Sequence, residues 1–349
     1  MRHFSRALTA AMSKTSKIEY RSPLEGLGTV PPAQNFHADR DAEKIRDLLF
    51  VSSDKKVDIS AIYDILTHRS NTQRQDIRKA YREKYKEELH DNLLTMQKEH
   101  KDITKALLFT PSQFDALELK RAMSGLGTNT QILIEILCTR TNEQIKQIKM
   151  DYRHLTGREL QEDIESETHG DFENFLVLLC QGERDETTNV DEKLAERDAQ
   201  ALYDAGEKVF FNDEDTFNSI LCKQNFVHLQ HTFKKYYKLT GHEIETAVDD
   251  EFSGKLEDGF LALVKIVKNR PLFFAETLYS ATQKLLHADM RTLLRIIVSR
   301  SEIDLVQIRQ EFMQNYGTSL EVFLKNYKEG KHDVLMKVLL SLSKTEYSH

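Results

Sequence analysis

Residues 123–140 of the chain read MSGLGTNTQILIEILCTR. The two glycines near the start permit a tight turn with positive φ angles, which points backbone carbonyls toward one place. Apolar residues then recur at helical spacing, and Arg140 follows them. The stretch therefore predicts a glycine turn that opens a helix. One carboxylate, Glu167, follows 39 residues after Thr128, the last residue of the turn, and completes a candidate site for a hard cation with oxygen ligands.

The composition limits the class of protein. The chain has 349 residues, of which 40% are hydrophobic and 30% are charged, and this predicts a soluble globular protein. Its formal net charge of −7 argues against a strongly basic nucleic-acid binder and against simple electrostatic adhesion to an anionic membrane. Five prolines and thirteen glycines are few for an all-β protein.

The cysteines and the first residues bear on the cellular compartment. Cys138, Cys180 and Cys222 are odd in number and widely spaced, which favours a reducing compartment over a disulfide framework or a zinc site. No run approaches 18 apolar residues, so no membrane-spanning helix is expected. Residues 2–17 are basic and share that feature with transit peptides, which leaves organelle import as the minor alternative to a retained tail.

Four copies of one pattern fill the chain after residue 36. In three copies an isoleucine follows a basic residue by eight positions, at Arg69, Arg140 and Arg300, and Gln224 takes the arginine's place in the remaining copy. A glycine stands 17 positions after this residue in three copies, and Lys86 stands there in the first. Internal repetition marks units that bury their apolar faces by stacking, so we expect four stacked repeats.

Each repeat is predicted to be helical. Apolar residues recur at helical spacing, and the alternation typical of strands is not seen. The predicted fold is therefore all-α, with about five short helices in each repeat. The predicted divisions are an N-terminal tail (1–36), repeat I (37–110), repeat II (111–183), a linker (184–194), repeat III (195–270) and repeat IV (271–349).

These blocks resemble the repeats of the annexin family. In the second repeat the resemblance is carried by residues 123–128, 139–142 and 170–172, and in the later repeats by residues 197–206 and 297–304. It covers about residues 37–345. The resemblance implies a slightly curved, all-α disc of four annexin repeats that binds acidic phospholipid on its convex face when calcium is present.

The resemblance also implies a calcium site in repeat II. The backbone carbonyls of Met123, Gly125 and Gly127 would bind Ca²⁺, and Glu167 would supply the carboxylate. The alternative is an ordinary turn at a helix start together with an ordinary surface acid. The position of the acid inside a four-fold repeat favours the calcium site over that alternative.

The residues around the turn give two further predictions. Thr128 with Gln131 fits a capping box, which would fix where the next helix begins. The letters GLGT also occur over residues 26–29, but the position 39 residues beyond Thr29 holds His68 rather than an acid, and prolines follow. That copy is therefore predicted to belong to the tail rather than to a cation site.

Repeat III keeps the pattern in part. The positions that match the ligands of repeat II hold Glu207, Val209, Phe211 and Glu251. Asn212 takes the threonine position and is predicted to be the N-cap of the next helix. A phenylalanine in place of the second glycine resists positive φ, whereas the acidic neighbours of Glu251 favour a cation. A second calcium site and a solvated acidic helix end therefore both remain open.

Repeats I and IV depart from the pattern. In repeat I residues 49–56 stand where the loop should be, with Lys98 at the expected acid position and Glu99 beside it. In repeat IV residues 284–287 form the loop and Tyr327 stands near the acid position. Since lysines next to a cation pocket repel the cation, neither repeat is expected to bind calcium as repeat II does.

Two apolar residues stand at the tips of the loops. Leu126 lies between the glycines of repeat II, and Phe210 holds the matching place in repeat III. Both are candidates for insertion into the headgroup region of a membrane. The alternative for each is packing against a neighbouring loop.

A set of charged residues matches positions that line the central hydrophilic channel of annexins. The set consists of Asp115, Glu118, Glu135 and Arg140. Asp115 and Glu118 stand three residues apart on one predicted helix, and buried charges need partners. The simplest role is an ion-pair network that holds the repeats together, and ion conduction is the alternative.

No signature of an enzyme appears. The segment at residues 241–245 lacks the second histidine of the zinc HExxH pattern, and there is no P-loop, GxSxG or dinucleotide fingerprint. Two functions are therefore compared. The first is calcium-dependent binding to acidic phospholipid membranes, with Ca²⁺ as the cofactor and a role in membrane organisation or trafficking. The second is a calcium-independent helical scaffold whose calcium sites have decayed.

The first function sets expectations for location and partners. A cytoplasmic protein that joins membranes peripherally in calcium is expected, with unconventional secretion or surface exposure open. The N-terminal tail is a candidate site for a protein partner, and no nucleic-acid partner is expected.

Overall fold

The computed structural model describes residues 18–23, 26–50, 57–96, 100–125, 127–206, 213–283, 288–326 and 333–344. These residues contain helices and no strand. The helices of the first two repeats are α1 (Ala38–Leu49), α2 (Ile59–Thr67), α3 (Asn71–Tyr85), α4 (Leu89–Met96), α5 (Lys101–Leu108), α6 (Pro111–Ala122), α7 (Thr130–Thr139), α8 (Asn142–Thr156), α9 (Leu160–Glu167) and α10 (Asp171–Gln181).

The later repeats follow the same order, except that two consecutive helices are continuous. Their helices are α11 (Glu192–Gly206), α12 (Glu214–Lys223), α13 (Phe226–Thr240), α14 (Ile244–Glu251), α15 (Gly254–Thr282), α16 (Met290–Arg300), α17 (Leu305–Tyr316), α18 (Leu320–Asn326) and α19 (Asp333–Ser343). Helix α15 joins the last helix of repeat III to the first of repeat IV across a kink at Asn269, where φ is −155° and ψ is 86°. The prediction of an all-α fold of four repeats is confirmed.

The third helices of the four repeats share a left-handed residue at their ends, and two of them begin in the same way. Helices α3 and α8 begin at capping boxes, in which Ser70 pairs with Gln73 and Thr141 pairs with Gln144. All four third helices end in a left-handed residue, which is a glycine in repeats II to IV. In repeat I this residue is Lys86, with φ 58° and ψ 25°. The spacing of the repeated glycine thus marks a helix end.

The apolar core is divided into two parts. One cluster joins repeats II and III, where Phe260 packs against Phe175 and Phe217 with ring centroids 5.4 and 5.7 Å away. The other cluster joins repeats I and IV, where α2 contacts α19 and α5 contacts α16. The Thr67 and Ser341 hydroxyls lie 2.8 Å apart in this second cluster. We call these parts the II/III module and the I/IV module.

The residues before α1 lie against later repeats. The backbone N–H of Arg21 donates to the carbonyl of Lys268 (2.9 Å), next to the kink in α15. Farther along, the N–H of Thr29 donates to the carbonyl of Ser301 (2.7 Å). A Cβ on Gly28 would lie 2.6 Å from that same carbonyl oxygen, so this close approach requires glycine. The first GLGT copy is therefore packed against repeat IV.

None of the described helices combines the length and the apolar character that crossing a bilayer requires.

Candidate metal centre

The loop between α6 and α7 is closed at its base. The N–H of Asn129 donates to the carbonyl of Ala122 (2.8 Å), which brings the two helix ends together. Between them Gly125 has φ 106° and Gly127 has φ 89°. No atom of the described residues lies within 4 Å of a Cβ built on either glycine, so both face open space. Positive φ, rather than crowding, is what requires glycine here.

The carboxylate that the sequence singled out is held at this loop. Helix α9 ends at Glu167, and the Thr128 hydroxyl lies 3.2 Å from both the carbonyl oxygen and Oε2 of Glu167. The prediction that Thr128 forms a capping box with Gln131 is wrong. The N-cap of α7 is Asn129, without a side-chain cap, because the Thr128 hydroxyl is directed to the end of α9 instead.

The donor chemistry of this site suits a hard cation. Met123 is the C-cap of α6, and its buried side chain fixes the start of the loop. Within the described residues no hydrogen bond is donated to the carbonyls of Met123, Gly125 or Gly127. In the described part of the chain, no three His, Cys, Asp or Glu side chains are arranged so that they alone could hold a metal ion. The set is therefore oxygen-rich with a single carboxylate, which fits calcium better than zinc. Leu126 lies outside the described residues.

The matching loop in repeat III joins its helices with seven residues, as the loop of repeat II does. Its base is closed by the N–H of Asp213, which donates to the carbonyl of Ala205 (3.2 Å). Oδ1 of Asp213 accepts from the N–H of Thr216 (3.0 Å), so Asp213 is the N-cap of α12. The prediction of Asn212 as this N-cap is therefore wrong. An aspartate one position later offers a charged acceptor to the helix N-terminus.

The acid of repeat III occupies the same place in the fold as the acid of repeat II. Glu251 ends α14 as Glu167 ends α9. A Cβ built on Gly206 would lie 3.8 Å from Cγ of Glu251, so this side chain reaches the start of the loop. The other predicted ligands and the tip residue lie outside the described residues; these are Glu207, Val209, Phe210, Phe211 and Asn212.

Negative charge is concentrated just beyond Glu251. Burial, followed by repulsion from Asp249 and Asp258, raises the pKa of Glu257 above its ordinary value. Burial likewise raises the pKa of Asp258. A bound cation would favour the ionised forms and lower both pKa values. Repeat III thus has acidic side chains that attract cations, although its loop lacks the two glycines of repeat II.

Repeats I and IV keep the helix starts that follow the loops. Asp58 and Asp289 are the N-caps of α2 and α16 and accept from backbone N–H groups three residues on. Helix α4 ends at Met96, in the place where α9 ends at Glu167. Lys98, predicted at this position, and Glu99 beside it lie outside the described residues. Residues 51–56, 97–99, 284–287 and Tyr327 lie outside the described residues.

The four residues matched to the central channel lie in a buried network of ion pairs. The Arg140 guanidinium donates twice to the Asp115 carboxylate, at 2.7 and 2.8 Å. Glu135 of α7 accepts two bonds from Arg295 of α16, at 3.0 and 2.7 Å. Burial alone would lower the pKa of Arg295, but the Glu135 carboxylate raises it above the ordinary value. This second pair connects the II/III module to the I/IV module.

Glu118 is shared among three arginines. It accepts a hydrogen bond from Arg121 (2.8 Å), while Arg291 and Arg295 lie 3.7 and 3.8 Å away. The sequence did not identify these arginines, because those of α16 lie more than 150 residues from their acids. The one local signal is a charged residue, Arg295, within an apolar helical run. All four predicted channel residues therefore have charged partners in the fold.

The family model described as Annexin matches residues 41–105, 114–179, 197–263 and 273–342. Human annexin A7 is 41% identical over 314 residues, which cover 90% of this chain and 64% of annexin A7, so the chain spans less than two thirds of that relative. Human annexin A3 is 44% identical over 316 residues, which cover 89% of this chain and 96% of annexin A3.

Solved structures show the same likeness. The chain of annexin III superposes with a TM-score of 0.86 at 40% identity, covering 93% of this chain and 100% of that one. A calcium-bound annexin (Sm)1 superposes with a TM-score of 0.82 at 27% identity, covering 95% of this chain and 98% of that one.

Proposed function

Since the chain belongs to the annexin family of calcium-dependent phospholipid-binding proteins, as its repeats predicted, we propose that the α6–α7 loop and Glu167 hold a calcium ion. A lipid phosphate would complete the coordination shell of this ion. The contact between Thr128 and Glu167 carries the proposal, because it brings the single carboxylate to the glycine turn. The carbonyls of Met123, Gly125 and Gly127 would supply the remaining protein ligands. Bound calcium supplies a cation that the oxygen atoms of both the protein and the lipid phosphate can coordinate.

The proposed ligand set leaves the calcium shell incomplete. Calcium takes six to eight oxygen ligands, whereas three carbonyls and one bidentate carboxylate supply five. One carboxylate also gives little charge neutralisation, so affinity for calcium alone should be weak. A phosphate oxygen from an acidic lipid would fill a vacant position and add the missing negative charge. Calcium and membrane would therefore each strengthen the binding of the other.

The same arrangement explains how an acidic protein joins an acidic surface. The chain carries a formal charge of −7, so protein and membrane repel each other without calcium. A cation held between them changes this repulsion into a bridge. Leu126 and Phe210 would add apolar contact at the headgroup level.

The repeats would contribute unequally. Repeat II has both glycines and the acid, whereas repeat III has Glu251 without the glycines. Repeat I ends α4 at Met96, which offers no carboxylate. We propose that repeat II dominates membrane attachment, that repeat III assists, and that the protein serves membrane organisation or trafficking. Membership of this family does not favour the alternative of a calcium-independent scaffold. Members of the family are generally non-enzymatic.

A sedimentation experiment tests this proposal. The protein is mixed with phosphatidylserine vesicles over a range of calcium concentrations and then in chelator. We expect Glu167→Gln to raise the calcium needed for half-maximal binding at least tenfold, which corresponds to about 1.4 kcal/mol. Glu165→Gln is the matched control, since Glu165 is exposed on the same helix and accepts a bond from Gln161 on that helix.

Two results would contradict the proposal. An unchanged calcium midpoint in Glu167→Gln, with a shift in Glu251→Gln, would move the main site to repeat III. Equal binding in calcium and chelator would favour the scaffold instead.

A further inference from the structure

A cationic cleft lies on repeat I. Its lining does not include the loop or the helix end that correspond to the calcium site of repeat II. It runs along α3 to the start of α4, and its lining residues are Gln75, Arg78, Lys79, Arg82 and Glu88. Its volume is about 170 Å³. One buried water needs about 10–15 Å³ by the same measure, so the cleft has room for a polyatomic ion.

The charge of this lining is opposite to the charge of the chain. Three cationic side chains and one carboxylate line the cleft in a protein of net charge −7, and a second carboxylate, Glu83, lies 4.0 Å from Lys79. Glu88 lies 3.3 Å from Arg82 and 3.9 Å from Arg78, so its single charge is divided between two guanidinium groups. Arg78 thus has no hydrogen-bonded carboxylate in the described residues.

Arg78 is fixed in place by the rest of repeat I. Its Nη1 donates to the carbonyl of Leu108 (2.9 Å) and to Oε1 of Gln75 (2.8 Å). Leu108 ends α5, and the negative end of a helix dipole stabilises a cation. The guanidinium is therefore held as a rigid fork, which binds oxyanions with little further loss of conformational entropy.

Arg78 and Arg82 repel each other across the cleft. Burial is the main cause that lowers the pKa of Arg78, attraction to Glu88 opposes it, and repulsion by Arg82 lowers the pKa further. Asp91 also attracts Arg78, more weakly than Glu88 does. An anion in the cleft would relieve the repulsion between Arg78 and Arg82.

We propose that this cleft binds a phosphate-class oxyanion independently of calcium. A phosphate monoester carries a charge of about −1.5 to −2 at neutral pH and three acceptor oxygens, so it can accept from all three cationic side chains, whereas a carboxylate has two oxygens and one charge. Arg78 supplies a rigid fork, and Lys79 and Arg82 supply exposed arms that can close on the anion. The anion is either a free phosphate or the headgroup of a lipid such as phosphatidic acid.

The cationic lining is not shared by all repeats. Repeat II has Lys149 and Arg153 at the positions of Arg78 and Arg82, whereas repeat III has neither cation. The N-caps Ser70 and Asn225 begin α3 and α13, so Arg78 corresponds to Phe233 in repeat III. Arg82 likewise corresponds to Tyr237. The same helix in repeat III therefore places aromatic rings where repeat I places guanidinium groups.

Two arms of one experiment test the proposal and separate the two sources. In chelator, inorganic phosphate is titrated into the full chain and followed by ³¹P NMR. Vesicles of phosphatidylcholine with phosphatidic acid are sedimented with the protein under the same conditions. We expect Lys79→Gln/Arg82→Gln to weaken binding at least tenfold in each arm where the unaltered protein binds. Binding in the first arm assigns a free phosphate, and binding in the second assigns a lipid headgroup.

The control removes the same charge elsewhere. Lys193→Gln/Arg197→Gln neutralises two exposed cations on α11, the first rather than the third helix of repeat III, and should change binding by less than twofold. Arg78→Lys keeps the charge but loses the fork, and an intermediate loss is expected, with thermal unfolding checking the fold. Absence of binding in both arms, or an equal loss in the control, would overturn the proposal. Because the chelator removes calcium, binding at the calcium site cannot produce any of these results.

Discussion

The buried pair between Glu135 and Arg295 gives the sharpest prediction about stability. Glu135→Gln removes the charge from a carboxylate that is 2% exposed and accepts two bonds from Arg295. Among the described residues, Glu118 lies 3.8 Å from Arg295 without a hydrogen bond to it, and Asp289 attracts Arg295 more weakly. Removing one partner of such a pair costs about 3–5 kcal/mol, because the other charge stays buried without compensation.

Urea unfolding followed by circular dichroism measures this loss. A change of about 3–5 kcal/mol lowers the urea midpoint by about 1 M for a protein of this size. Glu162→Gln makes the same chemical change on an exposed residue and should alter stability by less than about 0.5 kcal/mol. The double variant Glu135→Met/Arg295→Met should recover most of the loss, since apolar groups leave no buried charge.

One result would refute this reasoning. If Glu135→Gln shifts the midpoint no more than Glu162→Gln does, the pair contributes nothing measurable to the contact between the modules. The assignment of these residues to an ion-pair network would then be wrong, and a different role for the charged set would need testing.

Three further predictions follow from single residues. Lys86→Gly should stabilise the protein by about 0.5–1 kcal/mol in urea unfolding, because a left-handed lysine costs more than glycine, and Gly157→Lys should lose a similar amount. Burial raises the pKa of Cys222 to about 12, so its thiol should resist alkylation at pH 8 and react faster as pH rises toward that value, with urea-unfolded protein as the reference. Gly28→Ala should detach the tail, since its Cβ would lie 2.6 Å from backbone atoms, and trypsin should then cleave at Arg21 faster than in the unaltered protein.

The sequence predicted the features that depend on local pattern. Helices, their number in each repeat and the recurring glycine at positions 157, 241 and 317 all follow from spacing along the chain. The pairing of the glycine turn with Glu167 followed from the repeat, and the structure brings them together through Thr128.

Features set by distant contacts could not be predicted in this way. Thr128 looked like an N-cap because the letters around it fit one, but its hydroxyl has a better acceptor at the end of α9. Asn212 was predicted as an N-cap by its match to Thr128, but in both repeats the cap is the next residue, Asn129 or Asp213. Arg295 was missed because its partner lies in another repeat and no local rule connects them.

The division into modules has a consequence for synthesis on the ribosome. Repeat I is made first, yet the helices that cover its apolar face, α16 and α19, come from the last part of the chain. Domains usually fold in the order in which they emerge, at about 5–20 residues per second. From the end of α5 at Leu108 to the end of α19 at Ser343, synthesis takes about 10–50 s at that rate. The II/III module can close during this interval, while the first repeat made waits with its partner face uncovered and needs protection from aggregation.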